Sequence, residues 1–404
     1  MADIPKLTAL VGVAAVVGVG GILALPGGTT DEPGGVDISS GDHRLDIVAY
    51  AVPKPGFDVI IPGYRETAEG ADTGFAQSYG ASGDQSRKVA RRVPADLVNF
   101  SVEPDITRLV KEGIVDEDWK DNVPGDESGT SVPFGSVVSF VTREGNPKGL
   151  ETWDDLLQPG IQVISPNPAS SGSAKWNLLA PYSAWFYSAL EEQGDAKNYT
   201  AAHEKALNKV SLLVGEHFNV RPKSGREATS TFEQGQGDVL LSYENEAILL
   251  DRSGSAIDYL NPPQTFRIEN PVAVVNTTED PEQAESFRDY LFTEDAEKLW
   301  ASEGFRPGSD LFTPDGSTPV IDSLPAEERD AFSGCEDLYS IDDLSQAFSA
   351  LAQQNPQLAQ KYGLLDDNGD PKTGWSIVDA LLFARSDPGS GDPNGAITEI
   401  YQQV

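Results

Sequence analysis

The sequence predicts an α/β protein with parallel sheets that are covered by helices on both faces. Short apolar segments of strand length alternate with amphipathic helical segments along the chain, which is the pattern of strand–helix–strand units. The chain has 404 residues, of which 39% are hydrophobic and 8% aromatic. This length and composition suffice for the cores of two ordinary domains, so wholesale disorder is excluded.

The predicted strands are short apolar runs bounded by turn residues. They are Leu45–Tyr50, Ala95–Val102, Val137–Thr142, Ile161–Ser165, Val239–Tyr243 and Val272–Val275. After the second run, a helix is predicted from Pro104 to Gly113, since proline is favoured in the first turn and glycine ends helices. The group Glu244-Asn245-Glu246 is predicted to open another helix directly after a strand, where its two acidic residues favour the helix dipole.

The N-terminal segment is predicted to place the rest of the chain outside the cytoplasm. Residues 7–30 carry no charge, and a helix of this length, at about 1.5 Å per residue, spans about 36 Å and crosses a bilayer. Two interpretations of residues 1–30 stay open, a signal-anchor helix and a cleaved signal peptide, because neither a clear cleavage site nor a lipidation cysteine follows. Residues 31–43 are predicted to form a flexible linker.

The net charge excludes several classes of partner. The chain has 64 acidic and 29 basic residues, which give a formal net charge of -35. Such a surface repels nucleic acids and anionic lipids. At about 1 M salt the Debye length falls to roughly 3 Å and the self-repulsion is screened. We therefore interpret the composition as that of a halophilic protein, with an acidic protein of another habitat as the alternative.

Metal, cofactor and disulfide chemistry are not predicted. The single cysteine, Cys335, cannot form an intramolecular disulfide or a multi-cysteine metal site. The histidines, His43, His203 and His217, lack the spacing of metal ligands. The sequence therefore indicates neither a resident metal nor a cofactor.

The candidate functional features are serine- and glycine-rich turns, each placed before a helical segment. They are Ser78–Gln85, Ser170–Ser173 and Ser224–Glu227. Ser82 and Gln85 have the spacing of a capping box, in which each side chain caps the other's backbone N–H, and Ser224 begins a second one. Unpaired amides at a helix start, together with the positive end of the helix dipole, bind anions without a formal charge.

Sulfate suits such a set of donors. It is a dianion with acceptor oxygens and no proton, whereas phosphate carries at least one proton that requires an acceptor. Neutral donors also allow an anion to bind a protein of strongly negative charge. Each turn taken singly is equally explained by ordinary helix capping, so the spacing alone leaves both interpretations open.

The segments around these turns resemble those of bacterial sulfate-binding proteins. The similar segments are Gln77–Gln85, Gly145–Gly149 with Trp153–Leu156, Ser165–Pro168 with Ser171–Asn177, Gly237–Ala247 and Gly395–Tyr401. They occur in the order found in that family. The likeness extends from about Ile47 to Arg306 and resumes near Trp375.

The resemblance implies a class II periplasmic-binding-protein fold, in which two α/β lobes are joined by crossover strands and the ligand is buried in the cleft. Lobe I would comprise residues 44–134 and 271–404, and lobe II residues 135–270. Residues 308–374 are extra relative to the family. We interpret them as a surface elaboration of lobe I without an assigned role.

The resemblance also implies the anion donors. They are Ser82, Ser171, Gly172, Ser173 and Gly225, mainly through backbone N–H groups, with Ser171 adding its hydroxyl. Tyr243 occupies the position where many members have a tryptophan that donates its indole N–H. A phenol donates too, but it also accepts hydrogen bonds. Ala51 stands near the position of the family's usual aspartate, and Ser173 replaces a usual glycine.

The function implied is that of an extracytoplasmic, monomeric solute-binding protein that delivers sulfate to the permease subunits of an ABC importer and so, indirectly, to its ATPase. Thiosulfate, molybdate and phosphate are alternative ligands. A sensor on the same fold and an oxyanion-processing enzyme are the alternatives of other classes. A serine hydrolase would require a Gly-x-Ser-x-Gly elbow, which the sequence lacks. We therefore predict a protein that is not an enzyme.

Overall fold

The structure is a computed structural model that describes residues 41–126, 128–308, 318–384 and 393–404. The predicted leader, residues 1–30, and most of the predicted linker lie outside the described residues. Within the described ranges, no helix is both long enough and apolar enough to cross a membrane.

The strands are numbered in chain order. Strands β1 to β12 are His43–Tyr50, Thr73–Gly80, Leu97–Asn99, Phe134–Arg143, Val163–Ile164, Phe218–Val220, Val239–Tyr243, Ile257–Leu260, Gln264–Glu269, Val272–Val274, Arg306–Pro307 and Asp337–Tyr339.

The α-helices are numbered in the same way. Helices α1 to α15 are Lys54–Arg65, Ser82–Ala90, Glu103–Lys111, Gly172–Glu191, Tyr199–Leu212, Gly225–Glu233, Glu244–Arg252, Pro281–Tyr290, Glu294–Ser302, Pro319–Asp322, Ala326–Arg329, Ile341–Gln354, Pro356–Tyr362, Gly374–Leu382 and Ala396–Tyr401. A 3₁₀-helix at Asp155–Leu157 and a π-helical turn at Leu213–His217 complete the helical elements.

The first sheet has the strand order β10–β3–β1–β2. Its strand β1 runs parallel to β2 and β3, whereas β10 is antiparallel to β3. Both faces of β1 are buried, since Ile47 packs in one apolar cluster and Val48 in another. The carboxyl ends of the three parallel strands meet at one edge, which is where α1, α2 and α3 begin. In open α/β sheets, this edge is where ligands bind.

The second sheet has the order β12–β9–β4–β7–β5–β6, and β8 and β11 also pair with β4. Strand β5 is parallel to β6 and β7, but β4 is antiparallel to all its neighbours. The prediction of parallel sheets is therefore wrong for both sheets, which are mixed. The chain crosses between the sheets before β4 and again between β9 and β10, and the crossing strands β4 and β10 run against their neighbours.

Most predicted elements are confirmed. Strands β1, β4 and β7 cover three predicted runs, and β10 and α3 match their predicted elements but end one and two residues earlier, at Val274 and Lys111. Helix α7 begins at Glu244, as predicted. Strands β3 and β5 are shorter than predicted. The assignment of Ser78–Gly80 to a turn is wrong, because these residues pair with Val48–Tyr50 and form the end of β2.

The extra segment is part of the core, so its interpretation as a surface elaboration is wrong. Strand β12 pairs in parallel with β9 at the edge of the second sheet. Helix α12 packs on α5 and buries the apolar side chains of Ile341, Leu344, Phe348 and Leu351. These side chains belong to the main apolar cluster, which requires that the segment folds with the rest of the protein.

Candidate functional site

The N-terminus of α4 is formed by the turn at residues 167–171. The carbonyl oxygen of Asn167 accepts hydrogen bonds from the amides of Ser170 and Ser171 at 3.2 and 2.9 Å. Ser171 is the N-cap residue in extended conformation, and its side chain makes no capping hydrogen bond. Amides in the first turn of a helix have no partner within that helix. The N–H groups of Gly172 and Ser173 and the Ser171 hydroxyl are therefore suited to donate to a ligand.

A close approach fixes the start of α4 against the end of β3. A Cβ atom on Gly172 would lie 2.6 Å from both Cβ and Oγ of Ser101, so a larger residue requires one of the two elements to move. One turn later, Trp176 donates from Nε1 to the carbonyl oxygen of Ser101 at 2.7 Å. Gly172 thus places the first amides of α4 beside the carboxyl edge of the first sheet.

The N-terminus of α2 lies against the same turn. Ala81 is its N-cap residue and Ser82 its first helical residue. The N–H of Gly83 donates to the carbonyl oxygen of Ser170 at 3.0 Å. This bond joins two of the turns that the sequence singled out.

The capping box predicted for Ser82 and Gln85 is wrong. The Ser82 Oγ donates to Asp105 Oδ2 at 2.6 Å and accepts from the Ser101 N–H at 3.0 Å. Gln85 instead donates to Ser78 Oγ at 3.2 Å. A carboxylate is a stronger acceptor than a neutral group, so Asp105 engages the Ser82 side chain. Ser82 brings its backbone N–H to the helix start.

The N-terminus of α6 follows the predicted capping pattern in part. The Ser224 side chain accepts from the N–H of Glu227 at 3.1 Å, but the Glu227 carboxylate accepts from the N–H of Lys223. A Cβ atom on Gly225 would lie 3.0 Å from Ser173 Oγ. The start of α6 therefore lies next to the start of α4.

Tyr243 connects the two sheets at the same place. It ends β7 and is 1% exposed. Its hydroxyl lies 2.7 Å from Ser101 Oγ, and the side chains of Ser173 and Asn270 lie near enough to influence its pKa. Burial raises the pKa of the Tyr243 phenol, and the hydrogen bonds from its neighbours offset this only in part. The phenol is therefore neutral at physiological pH.

Ser101 is a central residue that sequence reasoning missed. Its N–H and Oγ bond to Ser82 and Tyr243, respectively. Its carbonyl oxygen accepts from Trp176 and from Asn270, the latter at 3.1 Å. The sequence contains one signal, since Ser101 lies at the carboxyl end of the predicted strand Ala95–Val102, just before the predicted helix, and the carboxyl ends of parallel strands carry ligand sites.

The predicted site residues form one connected group in the structure. Ser82 and Gly172 contact Ser101, which bonds to Tyr243. Ser173 lies near the Tyr243 hydroxyl and against Gly225, and Ser171 precedes Gly172 in the same turn. The starts of α2, α4 and α6 thus converge on one buried cluster of hydroxyl and amide groups.

The charged groups around this cluster are paired. Asp105 bonds to Arg108 at 2.8 Å, and both side chains are nearly buried. Glu246 bonds to Arg226 at 2.8 Å and accepts from Thr229. No metal-binding group of three or more His, Cys, Asp or Glu side chains is found in the described ranges. The donors left for a ligand are thus mainly neutral.

A cavity of about 110 Å³ lies at the rim of the cluster. Ser171 and Gly172 line it together with the cationic side chains of Arg87, Arg108 and Lys175. Tyr243, Ser173 and Gly225 do not line it. Each of the three cations is paired with a carboxylate, Arg87 with Asp84, Arg108 with Asp105 and Lys175 with Asp379.

A comparison with protein families matches residues 45–306 to the family described as bacterial extracellular solute-binding protein. Among individual proteins, the chain is 36% identical over 285 residues to the sulfate-binding protein of Synechococcus elongatus, covering 69% of this chain and 76% of that protein. It is 34% identical to the thiosulfate-binding protein of Pseudomonas aeruginosa, covering 64% of this chain and 77% of that protein.

Among solved structures, the chain is similar to the sulfate-binding protein SubI of Mycobacterium tuberculosis. The two are 47% identical, with a TM-score of 0.65, and the match covers 77% of this chain and 99% of SubI. This similarity extends beyond a shared fold, because the identity is far higher than that of proteins related by fold alone.

Proposed function

Because this chain belongs to the sulfate-binding proteins, within the bacterial extracellular solute-binding proteins, we propose that it captures sulfate and delivers it to the permease of an ABC importer. One observation carries the proposal: the starts of α2, α4 and α6 converge on a buried cluster of neutral donors around Ser101 and Tyr243. The anion would accept from the amides of Ser82, Gly172, Ser173 and Gly225 and from the hydroxyls of Ser171 and Tyr243.

Neutral donors are sufficient for tight binding. A hydrogen bond to a charged group contributes about 1.5–3 kcal/mol net. Several such bonds supply the roughly 8 kcal/mol of micromolar affinity after the cost of association is subtracted. The pairing of Asp105 with Arg108 and of Glu246 with Arg226 limits repulsion of the anion by the neighbouring carboxylates.

Thiosulfate is the second candidate ligand, because one relative is named for it. Competition calorimetry of the full chain with sulfate, thiosulfate, molybdate and phosphate tests the proposal. We expect micromolar sulfate affinity and weak binding of phosphate. Tighter binding of thiosulfate would change the ligand within the proposal, whereas no binding of any oxyanion would refute it.

The remaining parts of the proposal concern organisation and location. We assign residues 44–134 and 271–404 to lobe I and 135–270 to lobe II, except that β12 and α12 belong to lobe II through their contacts with β9 and α5. The chain acts as an extracytoplasmic monomer without enzymatic activity, exported or anchored by residues 1–30. The charge of -35 supports adaptation to high salt.

Replacing Tyr243 by phenylalanine is expected to weaken sulfate binding by about 0.5–3 kcal/mol, since one hydrogen bond to the charged ligand is lost. Isothermal titration calorimetry measures the change. Tyr259→Phe is the matched control, because the Tyr259 hydroxyl lies outside the cluster and donates to the carbonyl oxygen of Ala331. Equal affinities of the two variants would show that the Tyr243 phenol does not contact the ligand.

Sulfate affinity is expected to change by less than about threefold between pH 5 and 8, because none of the proposed donors titrates in this range. Backbone amides do not ionise. Burial raises the pKa of Tyr243, so its phenol keeps its proton up to a pH above that of an exposed tyrosine. Calorimetry at three pH values checks this expectation, and a steep pH dependence of sulfate affinity would indicate that a titrating side chain, such as a histidine, takes part in the site.

A further inference from the structure

Tyr50 is a buried tyrosine whose hydroxyl has no protein partner. It is the last residue of β1 and is 2% exposed. Among the described residues, its Oη makes no hydrogen bond. Nearly all buried polar atoms in proteins have a partner, and a desolvated hydroxyl without one is destabilising. The hydroxyl therefore requires an explanation.

The position of Tyr50 supplies one. Its ring lies 6.3 Å from that of Tyr243, measured between centroids, at an interplanar angle of 52°. In the sheet it pairs with Gly80, two residues before Ser82. Two residues after it, Val52 Cγ2 would lie 3.3 Å from a Cβ atom on Gly225. Tyr50 thus packs against Tyr243, and its strand leads to the neighbourhood of the starts of α2 and α6.

The two polar side chains that act on Tyr50 have protein partners of their own. The Tyr243 hydroxyl bonds to Ser101 Oγ, and the Glu246 carboxylate pairs with Arg226 and accepts from Thr229. Both Tyr243 and Glu246 lie close enough to influence Tyr50 electrostatically. Burial also raises the pKa of Tyr50, which keeps its proton available for donation.

We infer that the Tyr50 hydroxyl is a further ligand donor, which donates its proton to an oxygen of the bound oxyanion. This inference rests on the proposed function, since it adds a donor to the same site. It explains why a hydroxyl is kept at a buried position where the protein offers it no acceptor. It also adds a donor from β1, so that the first strand contributes to the ligand as well as the three helix starts.

The test is Tyr50→Phe, with sulfate and thiosulfate affinities measured by calorimetry and the melting temperature measured without ligand. We expect the dissociation constant for sulfate to rise about tenfold or more, because a hydrogen bond to a charged group is lost. The ligand-free melting temperature is expected to stay unchanged or to rise, since the variant removes an unpaired polar atom. A purely structural role would not produce this combination.

Tyr79→Phe is the matched control. Tyr79 is buried in the neighbouring strand of the same sheet, and its hydroxyl already donates to Gln77 at 2.6 Å. Loss of the Tyr79 hydroxyl should leave sulfate affinity unchanged. If Tyr50→Phe binds sulfate as the wild type does, the inference is overturned and the proposed function stands. If the wild type binds no oxyanion, both are overturned.

A second measurement covers the case in which Tyr50→Phe does not fold. 3-Fluorotyrosine incorporated at position 50 of the full chain reports the surroundings of the phenol by ¹⁹F NMR. We expect its resonance to shift in proportion to the sulfate bound. An unchanged resonance at saturating sulfate would overturn the inference.

Discussion

Replacing Ser171 by aspartate is expected to abolish sulfate binding while the protein stays folded. Ser171 is the N-cap residue of α4 and is 3% exposed. Aspartate is a good N-cap residue, whose side chain accepts from the second or third amide of the helix, so its carboxylate would accept from the amide of Ser173 or Ala174. The carboxylate would then occupy the amide donors that bind sulfate, and its negative charge would repel the sulfate. The loss should exceed about 4 kcal/mol, the difference between micromolar and millimolar affinity.

Ser171→Asn provides the matched control for this substitution. Asparagine has nearly the same shape as aspartate and also caps helices, but it carries no charge. We expect Ser171→Asn to bind sulfate more weakly than the wild type yet measurably, whereas Ser171→Asp shows no heat of binding at millimolar sulfate. If Ser171→Asp bound sulfate with wild-type affinity, the turn at 170–173 would not belong to the site.

The local features that the sequence predicts correctly depend on neighbours along the chain. The turn before α4 and the Ser224 cap of α6 consist of groups within a few residues of each other, and local spacing determines them. The resemblance to sulfate-binding proteins then indicated that these turns act together. Their contacts around Ser101 agree with that expectation.

The parts that the sequence misses depend on distant residues. Asp105, 23 residues beyond Ser82, takes the hydroxyl that was predicted to cap α2. Ser101 gains its central position from residues of other elements, such as Tyr243, 142 positions away. The orientation of β4 and β10 likewise follows from crossings between sheets. Local patterns do not contain this information.

The extra segment shows the same limit in another form. Ile341, Leu344, Phe348 and Leu351 recur at helical spacing, which is the pattern of a helix with one buried face. This pattern alone indicates burial, so it contradicts a surface elaboration. It does not reveal the surface against which the helix packs, because α5 lies well over one hundred residues earlier in the chain.

Replacing Arg306 by methionine is expected to lower the free energy of unfolding by about 3–5 kcal/mol, because it leaves a buried carboxylate without its cation. Arg306 Nε and Nη2 bond to Glu244 at 2.8 and 3.2 Å, and the two side chains are 2% and 0% exposed. Urea unfolding of the ligand-free protein measures the change. Arg329→Met is the surface control, since the partner of Arg329, Asp330, is exposed. This substitution should lower the free energy of unfolding by less than about 1 kcal/mol.

The double variant Glu244→Gln with Arg306→Met separates the lost charge pair from lost packing. Because the double variant has no buried charge at position 244, we expect it to recover most of the stability that Arg306→Met loses. Glu244 follows Tyr243 directly and opens α7, so disturbing its position should also displace the Tyr243 phenol. The single variant should therefore bind sulfate more weakly than the double variant. If the double variant is no more stable than the single one, the loss arises from packing, and the ion pair does not hold the β7–α7 junction in place.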